Sequence, residues 1–428
     1  MSDSQNTSAN LSEILFKPKH DYIETSLISN SGCPLPDVGD GLHFMGSPFR
    51  SKWYRPLNLY TWTYLGGNNL DIELALSNII MSKNERSRET CFDTVSQYGA
   101  GNWIYEFSSI AQERVMRARL ATEQGNLPEA SHHYRMASRY FAIAAYPNLK
   151  GDVLAAQASL LGRQAYRKIF NDEKEFGYYK ELTFLVRGEK VTGHLHSVDN
   201  KTLQPCVIVV TAYGDTSTDY YRLFSDYFRK MGIAIFVIDM PGMGDASKIT
   251  LDANTSDILE AAVDYLREHV NYIDSSAIGA MGYRFSSNPV ARLALLRPDV
   301  FKAIALASPA VHNAYINHKL LNNMPLAARS SLANRLNLDA SNWETIVPQM
   351  QMLSLKKQGL IGYHASNKVP VLSVFTPVDL KFNDDDLAVI NNAFTNNTVI
   401  KHKHIRVSEF APKVFNDIAL FFKEHLLS

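Results

Sequence analysis

Gly282-Tyr283-Arg284-Phe285-Ser286 lies between two apolar runs, Ala277, Ile278, Ala280 and Met281 before it and Val290, Ala291 and Leu293 to Leu296 after it. That order reads as a strand, a sharp turn and a helix. Acyl-transfer enzymes use such a turn, written G-x-S-x-G, to lift a serine nucleophile above a sheet. Here Arg284 stands where the serine would be. A guanidinium keeps its proton and has no usable lone pair, so it cannot attack a carbonyl. Its planar fork instead suits a carboxylate or a phosphate, and the amides of the following helix add donors for an anion. Asp215 is the carboxylate expected to face Arg284. Two readings stay open: a salt bridge that plugs a dead site, and a pocket for a small carboxylate in which Asp215 does acid/base or orienting work.

In an open α/β sheet the ligand sits at the carboxyl ends of the strands. Five such ends carry the candidates: Tyr213-Gly214-Asp215, the Asp239 to Asp245 turn, the elbow itself, Pro309 to His312, and Pro377-Val378-Asp379. The expected catalytic groups are Asp215, Arg284 and Asp379. The expected substrate contacts are Tyr213, Gly214, Tyr283, Phe285, Ser286 and His312. Ser286 and Ser287 fall in the first helical turn, where serine caps or packs, and no base is evident to activate either. A triad also needs a histidine after the last strand. Val407 to Pro412 contains none, and His402 and His404 are expected within the preceding strand. Only Asp379 fits a triad position.

Those groups need a sheet to hold them. Around 176–200 the apolar period changes to two: Leu182, Phe184 and Val186 alternate with polar residues, then Val191, Gly193, Leu195 and Ser197 follow a turn at Gly188-Glu189, a β-hairpin. Strands are expected at Cys206–Thr211, Ile233–Ile238, Ala303–Ala307, Val369–Phe375 and Val399–Val407. Helices are expected at Asp219–Lys230, after a Thr255 or Ser256 cap, and at Lys413–Leu427. Repeated βα units mean a mostly parallel, doubly wound sheet, and with the elbow this is an α/β-hydrolase fold. A helical insertion at about 313–362 is expected to cap the site. Residues 1–10 read as disordered, 11–175 as a helical N-terminal domain and 176–428 as the hydrolase domain. In the N-terminal part Ile110, Ala111, Val115 and Ala118 keep a helical period, Gly125-Asn126 interrupts, and Ala130, Tyr134, Ala137, Phe141 and Ala144 or Ala145 resume it. This is an antiparallel helix pair, with a faint likeness to one tetratricopeptide unit.

The aromatic residues Trp53, Tyr54, Trp62, Tyr64, Trp103 and Tyr105 read first as core. The basic-aromatic run Lys52-Trp53-Tyr54-Arg55 is the part expected to be a partner-binding surface. Lys+Arg and Asp+Glu both number 43 in 428 residues, so the balanced charge argues against bulk nucleic-acid or membrane-surface binding. Three scattered cysteines, Cys33, Cys91 and Cys206, give no disulfide framework or metal spacing. No cofactor motif is evident. A polar N-terminus without a signal-peptide core points to the cytoplasm.

The chain resembles the FrsA family, the bacterial fermentation–respiration switch proteins also described as esterases. The resemblance rests on NLSEILF at Asn10–Phe16, WYRPL at Trp53–Leu57, YGAGNWIYEF at Tyr98–Phe107, AYPNLK at Ala145–Lys150, TDYYRLFSDY at Thr218–Tyr227, IDMPGMGDASK at Ile238–Lys248, GYRFSSN at Gly282–Asn288 and SLKKQGLIG at Ser354–Gly362. An elbow with arginine in the nucleophile's place is itself a feature of that family. Ser286 stands where the family often has glycine. The resemblance implies a carboxylesterase, and also an association with the glucose-specific EIIA protein of the sugar phosphotransferase system in control of fermentation. Enzyme and non-catalytic regulator therefore both remain as readings.

Overall fold

The computed structural model describes residues 52–212, 214–361, 367–376, 384–403, 405 and 407–428. The expected 1–10 tail, the 10–16 stretch, Cys33, Tyr213, Asp379 and His404 lie outside them.

Eight strands form one sheet: β1 (Tyr178–Val186), β2 (Glu189–Ser197), β3 (Gln204–Val210), β4 (Ala234–Ile238), β5 (Ile273–Tyr283), β6 (Ala303–Ala307), β7 (Val371–Phe375) and β8 (Asn397–Lys401). Their order is β1-β2-β4-β3-β5-β6-β7-β8. β2 runs antiparallel to β1 and β4, and the remaining neighbours are parallel. The hairpin turns at Arg187 and Gly188, both with positive φ, the geometry of a tight two-residue loop. β3, β4, β6 and β7 are buried at every position, as continuous apolar runs covered on both faces must be.

The covering follows from the apolar faces of the connections. Helices at Asp257–His269 and Ser287–Leu296 pack one side of the sheet. The 217–231 segment and the closing helix Val407–Leu426 pack the other. Between β6 and β7 the chain forms helices at Asn313–Ile316, His318–Asn322, Leu326–Arg335 and Trp343–Met350, the expected cap insertion.

Ahead of the sheet come α1 (Leu59–Tyr64), α2 (Asn69–Met81), α3 (Trp103–Glu123), α4 (Leu127–Ala145) and α5 (Val153–Ile169). Asn102 and Asn126 cap α3 and α4 through their side chains, and Pro128 sits in the first turn of α4, where its missing N–H costs nothing. The expected stripe of Ala130, Tyr134, Ala137, Phe141, Ala144 and Ala145 is buried. Trp53 and Trp62 both meet Trp103 edge-on, at 6.4 and 6.0 Å between ring centres.

Four expectations are corrected. The run proposed as a partner surface is interior: Trp53, Tyr54 and Arg55 are 7%, 1% and 2% exposed. Arg55 tolerates burial because it donates to the Asp93 carboxylate and to the Tyr146 carbonyl, and its guanidinium lies 4.8 Å from the Trp103 ring. The 217–231 segment is a composite of 3₁₀, α and π turns rather than one helix. Thr255 and Ser256 do not cap their helix; their hydroxyls bond Asn288 and Arg292 of the elbow helix. Finally, β8 ends at Lys401, and Val407 to Pro412 belongs to the closing helix. Among the described residues no helix is long and apolar enough to cross a membrane.

Candidate functional site

The elbow is present in its backbone. Arg284 follows β5 directly at φ 53°, the left-handed region that costs a side chain about 1–2 kcal/mol. Gly282 is obligatory, because a Cβ there would lie 2.3 Å from the Ser286 carbonyl oxygen. The helix thus doubles back hard against the strand, and Arg284 stands at the apex. Its guanidinium lies 4.6 Å from the Tyr283 ring, and its carbonyl accepts from the Ala310 amide at the end of β6.

Around Arg284 the expected contacts separate. Tyr283 is half-buried and meets Phe410 of the closing helix at 5.8 Å. Phe285 is 3% exposed and packs on Tyr315, so it belongs to the core instead of contacting a ligand. Ser286 is fully buried; its hydroxyl donates to the Tyr283 carbonyl and accepts from the Tyr283 amide. Ser287 donates to the Gly282 carbonyl. Both hydroxyls are used inside the turn, which leaves Ser286 no group to offer a substrate.

Asp215 lies after β3, half-buried, and accepts from the Tyr220 hydroxyl at 3.0 Å. Burial of the carboxylate and the nearby negative charge of Asp219 push its pKa up to about 6, against the pull of the Tyr220 hydroxyl, Arg139 and Arg284. Arg284 and Asp215 therefore share one electrostatic field. A third group enters from the N-terminal helices. The Tyr146 ring sits against Gly214, 3.7 Å from where a Cβ on that glycine would be. Burial raises the Tyr146 hydroxyl to about 12, with Arg335 and Arg55 opposing and Asp215 adding, so it stays a hydrogen-bond donor at neutral pH. Sequence reading passed over Tyr146, although it lies within the AYPNLK stretch.

The β4 end is structural. Asp239 is 2% exposed, accepts from Thr211 and from the Asp245 amide, and is pushed up to about 6 by burial and by Asp245. Asp245 accepts from the buried His194 at 3.0 Å and pairs with Arg163 of α5. His194 in turn meets the Tyr179 hydroxyl. This His–Asp pair was not anticipated, since its partners come from β2, the β4 turn and α5.

His312 does not join Arg284. Its Nδ1 meets the Ser354 hydroxyl at 2.7 Å, its amide donates to the buried Asp386, and its charged neighbours are Lys356, Lys357 and Asp385. His402 falls just beyond β8 rather than within the strand, and its Nε2 lies 2.7 Å from Asp417 of the closing helix.

Strand order, elbow and cap together define an α/β-hydrolase. The likeness to solved structures agrees on the fold: 2,6-dihydroxy-pseudo-oxynicotine hydrolase aligns at a TM-score of 0.65 and 16% identity, over 86% of this chain and 96% of that one. AbyA5 aligns at 0.62 and 13%, over 85% and 93%. Sequence is more specific. A model of the FrsA-like esterase family matches residues 6–424. Esterase FrsA of Klebsiella pneumoniae subsp. pneumoniae is 35% identical over 373 residues, 86% of this chain and 87% of that protein. Esterase FrsA of Yersinia pestis is 36% identical with the same coverage. The chain belongs to the FrsA-like esterase family.

Proposed function

We propose that the protein hydrolyses carboxylic esters at the β3–β5 strand ends without a serine nucleophile or a histidine base. The observation that carries this reading is Asp215, raised to about 6 within the field of an arginine at the elbow apex. At neutral pH such a carboxylate is mostly ionised, and its pKa is close to the working pH, as a general base requires. Asp215 takes a proton from water as the water oxygen adds to the ester carbonyl. Arg284 meets the negative charge that develops, and Tyr146, whose ring borders Gly214, donates its hydroxyl to the same oxygen. The carbon–oxygen bond to the alcohol then breaks, and the departing alkoxide takes back the proton held by Asp215. Asp379 completes the site in this reading, with Tyr213 as a substrate contact.

The test is hydrolysis of p-nitrophenyl acetate and butyrate from pH 5 to 8. Activity is expected to rise with pH through about 6, as Asp215 loses its proton, and to level above. Asp215→Asn is expected to lose about 100-fold or more and to abolish that rise. Wild-type activity retained in Asp215→Asn rules the reading out. A second reading is a regulator of fermentation that binds the glucose-specific EIIA protein in the cytoplasm without turnover. Its support is the exposed apolar stripe Leu70, Leu74 and Met81 on α2, 57–80% exposed. Saturable EIIA binding with no hydrolysis at any pH would select it.

A further inference from the structure

A second cluster of arginines lies away from the elbow, where α4 and α5 meet the 217–222 turns. There a cleft is lined by Arg135, Ser138, Arg139, Thr218, Asp219 and Arg222, among others. It is narrow and open to solvent, and its floor has room for about one water-sized atom. The charges on its walls do not cancel. Arg222 is committed to Asp226 and to the Tyr64 carbonyl. Arg139 pairs with Asp219, whose second oxygen accepts the Thr216 amide. Arg135 has no carboxylate partner among the described residues; its guanidinium lies over the Tyr221 ring, at 5.9 Å.

The donors are also unfilled. The Nε atoms of Arg135 and Arg139 are buried and make no hydrogen bond among the described residues. Arg139 as a whole is 8% exposed. A buried guanidinium N–H without an acceptor is unfavourable, because it has lost water and gained no partner. Two arginines with such unfilled donors line one cleft, and one of these cations has no carboxylate partner among the described residues, a combination suited to a negative oxygen.

We propose that this cleft binds the anionic head, a carboxylate or a phosphate, of a small metabolite, held by Arg135 and Arg139 with the Ser138 hydroxyl beside them. One anionic oxygen enters the narrow floor, and the rest of the ligand leaves through the mouth. The site is separate from the elbow and needs no turnover there. It does border it, because Asp219 lines the cleft and also acts on Asp215. An occupant therefore changes the charge around the proposed base.

Isothermal titration of the full chain at low ionic strength, with inorganic phosphate and with acetate in separate runs, tests the proposal. At least one anion is expected to bind saturably, and the one that binds identifies the head group. Arg135→Gln should weaken binding about 10-fold or more. Arg135→Lys, which keeps the charge and the packing but loses the fork, should weaken it by about 3-fold or more. Arg117→Gln, at an exposed position on α3, should leave it within about 2-fold. No saturable binding of either anion by the wild type overturns the proposal. So does equal affinity in the wild type and both Arg135 variants, or an Arg117→Gln loss as large as that of Arg135→Gln.

Discussion

The carboxyl ends of β5 and β8 are two places where a hydrolase sheet holds its triad, and here they differ from that pattern in different ways. At β5 the backbone is kept and the chemical group is replaced: Gly282, the left-handed residue and the doubled-back helix remain, and Arg284 occupies the apex. At β8 a histidine is present but is engaged elsewhere. His402 follows the strand, but Asp417 holds its ring against the closing helix. Three strand spacings, roughly 14 Å, separate the two ends. Fold position and side-chain identity are thus independent variables. A turn that survives without its nucleophile signals a site only where a titrating group lies near it, the part the proposed function gives to Asp215 after β3.

The largest effect should come from the backbone half of that comparison. Gly282→Val drives a side chain into the Ser286 carbonyl, and a loss of about 3 kcal/mol or more, or failure to fold, is expected in urea denaturation. A stably folded Gly282→Val protein would show that the elbow is not held as described. Next comes the apex. Arg284→Ala and Arg284→Gly should both lower ester hydrolysis by about 100-fold. The glycine variant should be the more stable of the two by about 1 kcal/mol, because only it relieves the positive φ. Equal stabilities would deny the strain. Ser286→Ala removes a buried hydroxyl with two backbone partners, and a loss of about 1–2 kcal/mol is expected, with kcat within about 3-fold of wild type. A collapse of kcat there would make Ser286 a nucleophile after all. The smallest effect belongs to β8: His402→Ala should cost about 1 kcal/mol or less and leave the pH–rate profile unmoved. A profile that shifts on this change would return His402 to the site.

What the sequence made legible follows the range of the interactions involved. The elbow, the hairpin and the positions of most strands depend on apolar periodicity and on glycine, which act over a few residues, and these were readable. That Asp215 and Arg284 follow neighbouring strands was readable, because β3 pairs with β5 in the sheet. Tyr146, Arg139 and His194 were not, because each is brought in by packing between elements far apart in the chain. The misreading at the C-terminus has a local cause. The apolar and β-branched residues after Asn397 suggested a longer strand, and Pro412 suggested a loop, whereas the closing helix absorbs the proline and buries Ala411, Val414 and Ile418. Lys52 to Arg55 misled in the same way, since only tertiary contacts with Asp93 and Trp103 explain a buried arginine there.

β2 has a consequence for how the chain can be divided. From Gly193 to Ser197 every residue is buried, with Leu195 in the core beneath the sheet and His196 against Tyr166 of α5. A gene fragment starting at β1 would lay that second face bare, with His194 and His196 exposed to water and Asp245 deprived of Arg163. The change from helices to strands near residue 177 is thus a poor place to cut for expression or domain exchange, and a protease would find no natural seam there.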